Sequence, residues 1–513
     1  MASLGAPPDH LRARTLSRAG LRSLTKHPLF PLVLLAAAMG LCLRIWLINQ
    51  PAGALDSDEA IPGLMALHLL KGEFSPFYWA QAYGGTAEIA VVAAVFKIFG
   101  PSVAALKLVP AFLHAISALL VWRIGTRAID QTTGVVAGAI FWIFPAGFVW
   151  MSIKERGFYG ISLALALGVV LLCMRLEERG SWTDFTLLGL CAGLAWWGTP
   201  QSALLVGPAL AWLFLRSSWF RWRVPALSVG IAIGALPYLV HNMRYAWPSL
   251  DATRPVFQAG PYRAHFQGFI EQALPMVLGF RVPWSGEWLV PDAIGAAITG
   301  AFLGGVLLSI GRSACRKRWS LVLLGAMVIL YPFLFSFSSY AWFVSEPRYL
   351  VMLSPALAIF LAYFASRWRL EAVALVVALL LTALGLARLN YYESRPYQVG
   401  EIRVPPDLGP LIQAMEERDV GHVFADYWIA HRISFETTET IVGAPMTGFD
   451  RYPPHSQEVR AGPNPAYIFY AGTAEDAGFP LKLALLGVAA ERIQIAWLAV
   501  YFPSQKVLPE QVL

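Results

Sequence analysis

The sequence predicts a polytopic α-helical membrane protein of about eleven transmembrane helices, followed by a small C-terminal α/β soluble domain. Three observations carry this reading. Of the 513 residues, 57% are hydrophobic and only 14% charged, whereas soluble domains carry roughly 25% charged residues. A larger core would not absorb the difference, because apolar surface would still face water. Apolar runs suited to a hydrocarbon layer recur along the chain, at 29–48, 102–122, 133–150, 157–174, 185–199, 201–215, 224–243, 291–311, 319–339, 349–365 and 370–388. Between them Arg and Lys fall in short clusters, which is the topology signal of cytoplasmic loops.

The first run follows a basic tail (Arg12, Arg14, Arg18, Arg22, Lys26) and extends to Ile48 with no small-residue cleavage site after it. It reads as a retained first helix. The runs 185–199 and 201–215 are each short, and Thr199-Pro200-Gln201 between them suits either a hairpin or a kink. The charges decide between the two. With the N-terminus inside, the inside connections hold Arg123 and Arg127; Arg175 and Arg179; Arg216, Arg221 and Arg223; Arg312, Arg316, Lys317 and Arg318; and Arg367 and Arg369. Fusing 185–215 into one helix would turn the 216–223 and 312–318 clusters outward, against the positive-inside rule. The organisation expected is a cytoplasmic tail (1–28), a transmembrane core (29–388) with outward loops 49–101 and 244–290, and an extracytoplasmic domain (389–513), all in a plasma (inner) membrane. Ala60–Leu70 and Glu88–Phe99 are too short to span and are expected along the interface.

In the tail, Leu408–Arg418 and Ala474–Val488 read as helices, and His422–Tyr427, Ala466–Tyr470 and Ile493–Phe502 as strands. The net charge of +7 is split among loop clusters, so no nucleic-acid groove is expected. The four cysteines, Cys42, Cys173, Cys191 and Cys315, have neither disulfide-framework nor zinc spacing. Gly300-Ala301-Phe302-Leu303-Gly304-Gly305 reads as a helix-packing face of small residues, not a nucleotide loop.

Chemistry concentrates just past the first run, in Leu55-Asp56-Ser57-Asp58-Glu59-Ala60. Asp58 or Ser57 is able to cap a helix beginning at Ala60. Three carboxylates exceed that need, and acids held at bilayer level usually have a task. General-base removal of a hydroxyl proton needs such a carboxylate, with a second acid to orient the acceptor or shift the first. A divalent metal at Asp56 and Asp58 is the lesser alternative; no cofactor is required. Trp79, Gln81, Tyr83 and Glu88 surround Gly84-Gly85 and suit sugar rings, as they also suit an interfacial aromatic belt and a turn. Lys154, Arg156 and Arg348 stand on the outward side, against the topology bias, and are able to meet a phosphate; pairing with Glu155 and Glu346 is the alternative. Arg244, Arg254, Arg263 and His265 are weaker candidates. His68, His114 and His241 read as packing residues.

Asp58-Glu59 after the first span, a long loop, and a later Arg348-Tyr349-Leu350 opening a span together resemble the GT-C glycosyltransferases. The likeness is nearest the protein O-mannosyltransferase and aminoarabinose transferase branch and covers most of residues 29–390. Asp426-Tyr427-Trp428-Ile429-Ala430 is similar to tails of bacterial members. The resemblance implies a GT-C-like core in which Asp58 is the catalytic base, Glu59 a neighbouring orienter and Tyr349 part of the substrate site. It also implies an inverting transfer from a polyprenyl-phosphate-linked sugar to a hydroxyl of a glycan, lipid or protein acceptor. Asp56 departs from the pattern and leaves two aspartates for one role. The His-Pro-Pro segment of the protein mannosyltransferases is replaced here by Gln81-Ala82-Tyr83-Gly84-Gly85-Thr86-Ala87-Glu88. A transporter or lipid flippase is the rival reading; it calls for charges inside spans, and Lys107 is the main one.

Overall fold

The computed structural model describes residues 28–177, 180–218, 220–252 and 261–512. The basic N-terminal tail, Arg179 and Arg254 lie outside them. Helices occupy every apolar run: α1 (Phe30–Ile48), α4 (Val103–Ala128), α5 (Gln131–Ile143), α6 (Tyr159–Leu176), α7 (Trp182–Gly198), α8 (Ala203–Arg216), α9 (Phe220–Gly234), α10 (Leu236–Arg244), α11 (Asp292–Cys315), α12 (Trp319–Phe335), α13 (Ser354–Arg367) and α14 (Glu371–Ser394). The first loop adds α2 (Ser57–Leu70) and α3 (Ala87–Phe99). Among the described residues five helices, α1, α4, α6, α11 and α14, are long and apolar enough to cross a membrane, and the bent pair α9–α10 makes a sixth. Gln131–Ile143, Trp319–Phe335 and Val351–Arg367 are apolar but shorter. Large apolar side chains such as Leu34, Leu41, Leu308, Val376 and Leu380 point away from the protein. A water-facing surface would not tolerate such stripes, and lipid does.

Two breaks have local causes. Thr199 precedes Pro200, whose ring drives it out of the helical region, and it is extended (φ −154°, ψ 135°). The chain then makes a 3-10 turn, Pro200–Ser202, before α8. The run 224–243, expected as one span, is bent by 68° between α9 and α10. Pro237 stands in the first turn of α10, where a proline ring and its missing N–H cannot continue the preceding helix.

Of the small-residue face expected on α11, only Gly305 packs closely, against the Phe364 ring. Gly300 and Gly304 face open space. The close crossing is instead between α7 and α9, where Gly189 and Gly193 meet Gly230 and Gly234. A Cβ on Gly189 would strike the Leu227 carbonyl, and one on Gly230 the Thr186 carbonyl. Two glycines four apart on each helix let the backbones touch.

The C-terminal segment folds as a five-stranded mixed sheet of order β2-β1-β3-β5-β4, with strands β1 (His422–Ala425), β2 (Val442–Pro445), β3 (Ala466–Tyr470), β4 (Ala490–Ile495) and β5 (Leu498–Pro503). β1 pairs in parallel with β2 and β3, and β5 runs antiparallel to β3 and β4. Strand alternation makes two cores. Val423, Ala425 and Ile468 pack with α15 (Gly409–Glu416) and α16 (Tyr427–Glu436). Phe424, Tyr467 and Phe469 pack with α17 (Pro453–Ala461) and α18 (Ala474–Leu485) on the other face. The strand expected over 422–427 stops at Ala425, because Asp426 accepts from the Trp428 N–H at 2.9 Å and caps α16. The run 493–502 is a hairpin whose turn contains neither Gly nor Pro; Ala496 itself takes φ +51°.

Gly230→Leu should force α7 and α9 apart. Overpacking of this kind costs about 1–3 kcal/mol or more, so a thermal melt of the detergent-purified variant should fall well below that of Gly300→Leu.

Candidate active site

The acidic turn after α1 is folded inward by its own cap. Asp56 is the N-cap of α2 and accepts from the Glu59 N–H at 3.0 Å. Helix formation from Ser57 then sends the three carboxylates in three directions. Asp56 receives both terminal nitrogens of Arg156, at 2.7 and 2.9 Å, and lies 3.7 Å from Lys154 Nζ. Burial by itself would raise its pKa; the Arg156 and Lys154 charges prevail and hold it well below the usual carboxylate range. Glu59 is fully buried and lies 2.6 Å from both Lys107 Nζ and Lys154 Nζ. Lys154 also donates to the Ala54 carbonyl. Lys154, expected at a phosphate, is thus committed to Glu59, and Glu59, expected to orient an acceptor, is sealed between two ammonium groups. Lys107, the charge a transporter would need, serves the same cluster.

Asp58 is the carboxylate left facing a cleft. Its Oδ2 is 3.2 Å from Arg348 Nη1 and 3.8 Å from Arg156 Nη1. Its Oδ1 accepts from the Tyr427 hydroxyl at 2.6 Å, and its backbone carbonyl accepts from Tyr78 at 2.9 Å. The cleft, about 90 Å³ and partly open to solvent, is lined by Asp58, Tyr78, Gln81, Tyr83, Arg156, Phe158, Tyr159, Arg348, Tyr349 and Arg451. It therefore brings together Asp58, Arg156, Arg348, Gln81, Tyr83 and Tyr349 from the sequence reading. Tyr349 is stacked on Tyr340, with ring centroids 4.7 Å apart.

Trp79 and Glu88 lie elsewhere. Trp79 stacks on Tyr452 of the C-terminal domain at 3.9 Å. Glu88 is buried and accepts from the Ile161 N–H at 2.9 Å. The Gly84-Gly85 turn is structural: Gly84 takes φ +80°, a Cβ there would strike the Phe158 ring, and the Gly85 N–H donates to the Trp197 and Gly198 carbonyls. Arg244 is exposed beside Tyr245, Arg263 is exposed, and His265 faces the Ser336 carbonyl at 3.4 Å. None of these three lines the cleft.

Two residues of the C-terminal domain were missed. In the sequence Tyr427 stands out only as part of a tail motif, and Arg451 gives no signal in its Asp450-Arg451-Tyr452 context. Arg451 Nε donates to the Tyr427 hydroxyl at 3.3 Å, and its guanidinium lies 4.4 Å over the Phe449 ring. The Gln81 amide, turned so that its oxygen faces Arg451, accepts from it as well.

Behind the cleft, Glu88 stands beside Glu155, whose Oε1 accepts from the Gly157 N–H at 2.7 Å. Burial pushes Glu88 up to about 7. Burial and the neighbouring Glu88 push Glu155 up further.

Residues 89–241 match the model of the dolichyl-phosphate-mannose-protein mannosyltransferase family. By sequence, no curated protein matches the chain. By structure, the chain is similar to ArnT from Cupriavidus metallidurans, solved bound to undecaprenyl phosphate: TM-score 0.62, 13% identity, 92% of this chain and 98% of that one covered. It is also similar to the Archaeoglobus fulgidus oligosaccharyltransferase, with TM-score 0.50, 11% identity, and 88% and 69% covered. The likeness to ArnT is one of fold, and the likeness to the protein mannosyltransferases covers residues 89–241.

Lys107→Met leaves Glu59 with one partner fewer in a fully buried site, and breaking such a pair costs about 3–5 kcal/mol. The variant should unfold in detergent at markedly lower temperature, while Lys71→Met, at an exposed position, should not. Glu88 supplies a pH signature. Its folded pKa of about 7 lies above the ordinary 4.5, so the folded state binds the proton more tightly. That contribution is full below about pH 4.5 and is lost as pH rises through about 7. Glu88→Gln should flatten the decline in melting temperature between pH 5 and 8; an unchanged slope would assign the decline to other groups.

Proposed function

We propose that this chain is a GT-C enzyme, an inverting glycosyltransferase that moves a sugar from a polyprenyl-phosphate donor to an acceptor hydroxyl. Asp58 is the base. The observation that carries the assignment is the division of labour in the acidic turn. Asp56 is bound bidentately by Arg156, and Glu59 is enclosed by Lys107 and Lys154. Asp58 alone of the three lines the cleft.

The chemistry follows from charge. The cleft is lined by three guanidinium groups, Arg156, Arg348 and Arg451, against one carboxylate. Such an excess suits a phosphate, and arginine matches its oxygens in a fork. In the reaction an Asp58 oxygen takes the acceptor hydroxyl proton as that oxygen attacks the anomeric carbon. The bond from the anomeric carbon to the phosphate oxygen breaks on the opposite face, inverting the centre. Arg348 and Arg451 stabilise the charge that grows on the leaving phosphate. With Asp56 and Asp58 both engaged by cationic or hydroxyl donors, this reading uses no metal at that pair. Tyr83, Tyr159 and Tyr349 offer aromatic faces and hydroxyls for a sugar ring.

ArnT supports the donor class, since it was solved with undecaprenyl phosphate. The Arg-rich connections at the far ends of the helices support placing the cleft and the α/β domain on the extracytoplasmic side of a plasma membrane. We place the boundary between the membrane core and that domain near residue 389.

Asp58→Asn protein in nanodiscs, assayed with radiolabelled polyprenyl-phosphate sugars, should lose roughly 10²–10⁴-fold in transfer rate, the span expected for a missing general base. Arg348→Ala should lose rate with Arg348→Lys recovering part of it. Full transfer by Asp58→Asn would sink the assignment of the base.

A further inference from the structure

A second cluster lies where the C-terminal domain meets the first loop. His68, near the end of α2, Glu439, in the loop after α16, and His455, on α17, converge from three elements. His68 Nε2 is 2.6 Å and His455 Nε2 3.0 Å from the same oxygen, Glu439 Oε1. Their ligand atoms all lie within 4.8 Å of one another. Both imidazoles are buried, at 8% and 3% exposure. His68 was expected to be a packing residue; its contacts are polar instead.

We propose that His68, Glu439 and His455 form a zinc site that clips the α/β domain onto α2. Two imidazole nitrogens and one carboxylate are a donor set zinc accepts, with a fourth position left for water or the second carboxylate oxygen. Zinc–ligand distances of about 2.0–2.1 Å in a tetrahedron put ligand atoms about 3.3 Å apart. The Nε2–Oε1 separations therefore need only small relaxations to admit the ion.

The surroundings point the same way. His68 Nδ1 lies 2.6 Å from Glu73 Oε2, the carboxylate that fixes a metal-bound histidine with its other nitrogen turned to the ion. His68 faces a carboxylate at each nitrogen, and two imidazoles share one oxygen. Glu439 and the preceding Thr438 hold φ of +67° and +49°. Residues with a Cβ adopt such angles only when their surroundings enforce them, and here they aim Glu439 back at α2. The stacked Trp79 and Tyr452 rings wall one side, each edge-on to His68. Lys71 Nζ, 2.6 Å from Glu439 Oε2 on a half-exposed side chain, is the competing cation.

The position gives the clip a consequence. The helices α2 and α16 pack against each other through Gly63 and Phe435. At their N-terminal ends Tyr427 meets Asp58, and at their far ends Glu439 meets His68. An ion at the far end fixes the register of α16 on α2, and with it Tyr427 against the Asp58 carboxylate. That consequence rests on the transferase reading; zinc binding does not.

The test uses full-length protein carrying no polyhistidine tag, in detergent, titrated with zinc in competition with a chromophoric chelator. Wild type should bind one zinc per chain and melt at higher temperature with it. His455→Asn and Glu439→Gln should each weaken that binding at least tenfold and lose the thermal response. Glu73→Gln should weaken it about tenfold, as outer-shell partners do, and Lys71→Ala should keep or tighten it. If His455→Asn and Glu439→Gln, checked as folded by their zinc-free melts, bind zinc as wild type does, or if wild type binds none, the site is refuted. Because the titration needs no donor or acceptor, its result stands apart from any transfer assay.

Discussion

The arrangement depends on neutralising an acidic turn in a place that water reaches poorly. Three carboxylates within four residues repel one another, and burial makes each charge expensive. The fold answers by bringing cations from distant positions: Lys107 on α4, Lys154 and Arg156 from the connection before α6, and Arg348 from the connection before α13. Each pairing ties α2 to a different part of the core. The acidic turn is therefore the point where the helices of the core are held in register, as well as the place where chemistry is proposed.

A division between structure and reactivity follows. Asp56 and Glu59 are consumed by ion pairs of the shortest geometry, and Lys107 and Lys154 lose the freedom to bind anything else. Asp58 has a longer ionic contact, an arginine at 3.2 Å, beside a tyrosine hydroxyl at 2.6 Å. Arg348 keeps partial exposure, at 23% of its side chain, where Lys154 has 4%. What distinguishes Asp58 from its neighbours is its place on the wall of the cleft. The C-terminal domain takes part through Tyr427 and Arg451, so the cleft is complete only when that domain is docked.

The α-helical core was legible because lipid exposure imposes an unbroken apolar run that survives any detail of packing. The breaks at Pro200 and Pro237 follow from the proline ring, and the first was readable as a break. The close crossing of α7 and α9 was not legible. Gly189, Gly193, Gly230 and Gly234 lie on separate helices, and the sequence offers Gly300 and Gly304 with equal spacing. Only the tertiary arrangement says which glycines meet a backbone. In the tail, the hairpin at Ala496 escaped because its turn holds neither Gly nor Pro, and the strand Val442–Pro445 because it is four residues long and itself carries Gly443 and Pro445.

By itself, the sequence determined that the chain belongs in a membrane, that an acidic turn follows the first helix, and that arginines stand against the expected charge bias. These are properties of composition and order, and physical chemistry acts on them locally. The tertiary structure alone decided which carboxylate faces the cleft, that Lys154 is spent on Glu59, and that Tyr427, Arg451, Glu439 and His455 reach the first loop from more than 350 residues away. Those outcomes depend on which charged groups come within a few ångströms of one another, and in a low-dielectric interior that proximity dictates what each group is able to do.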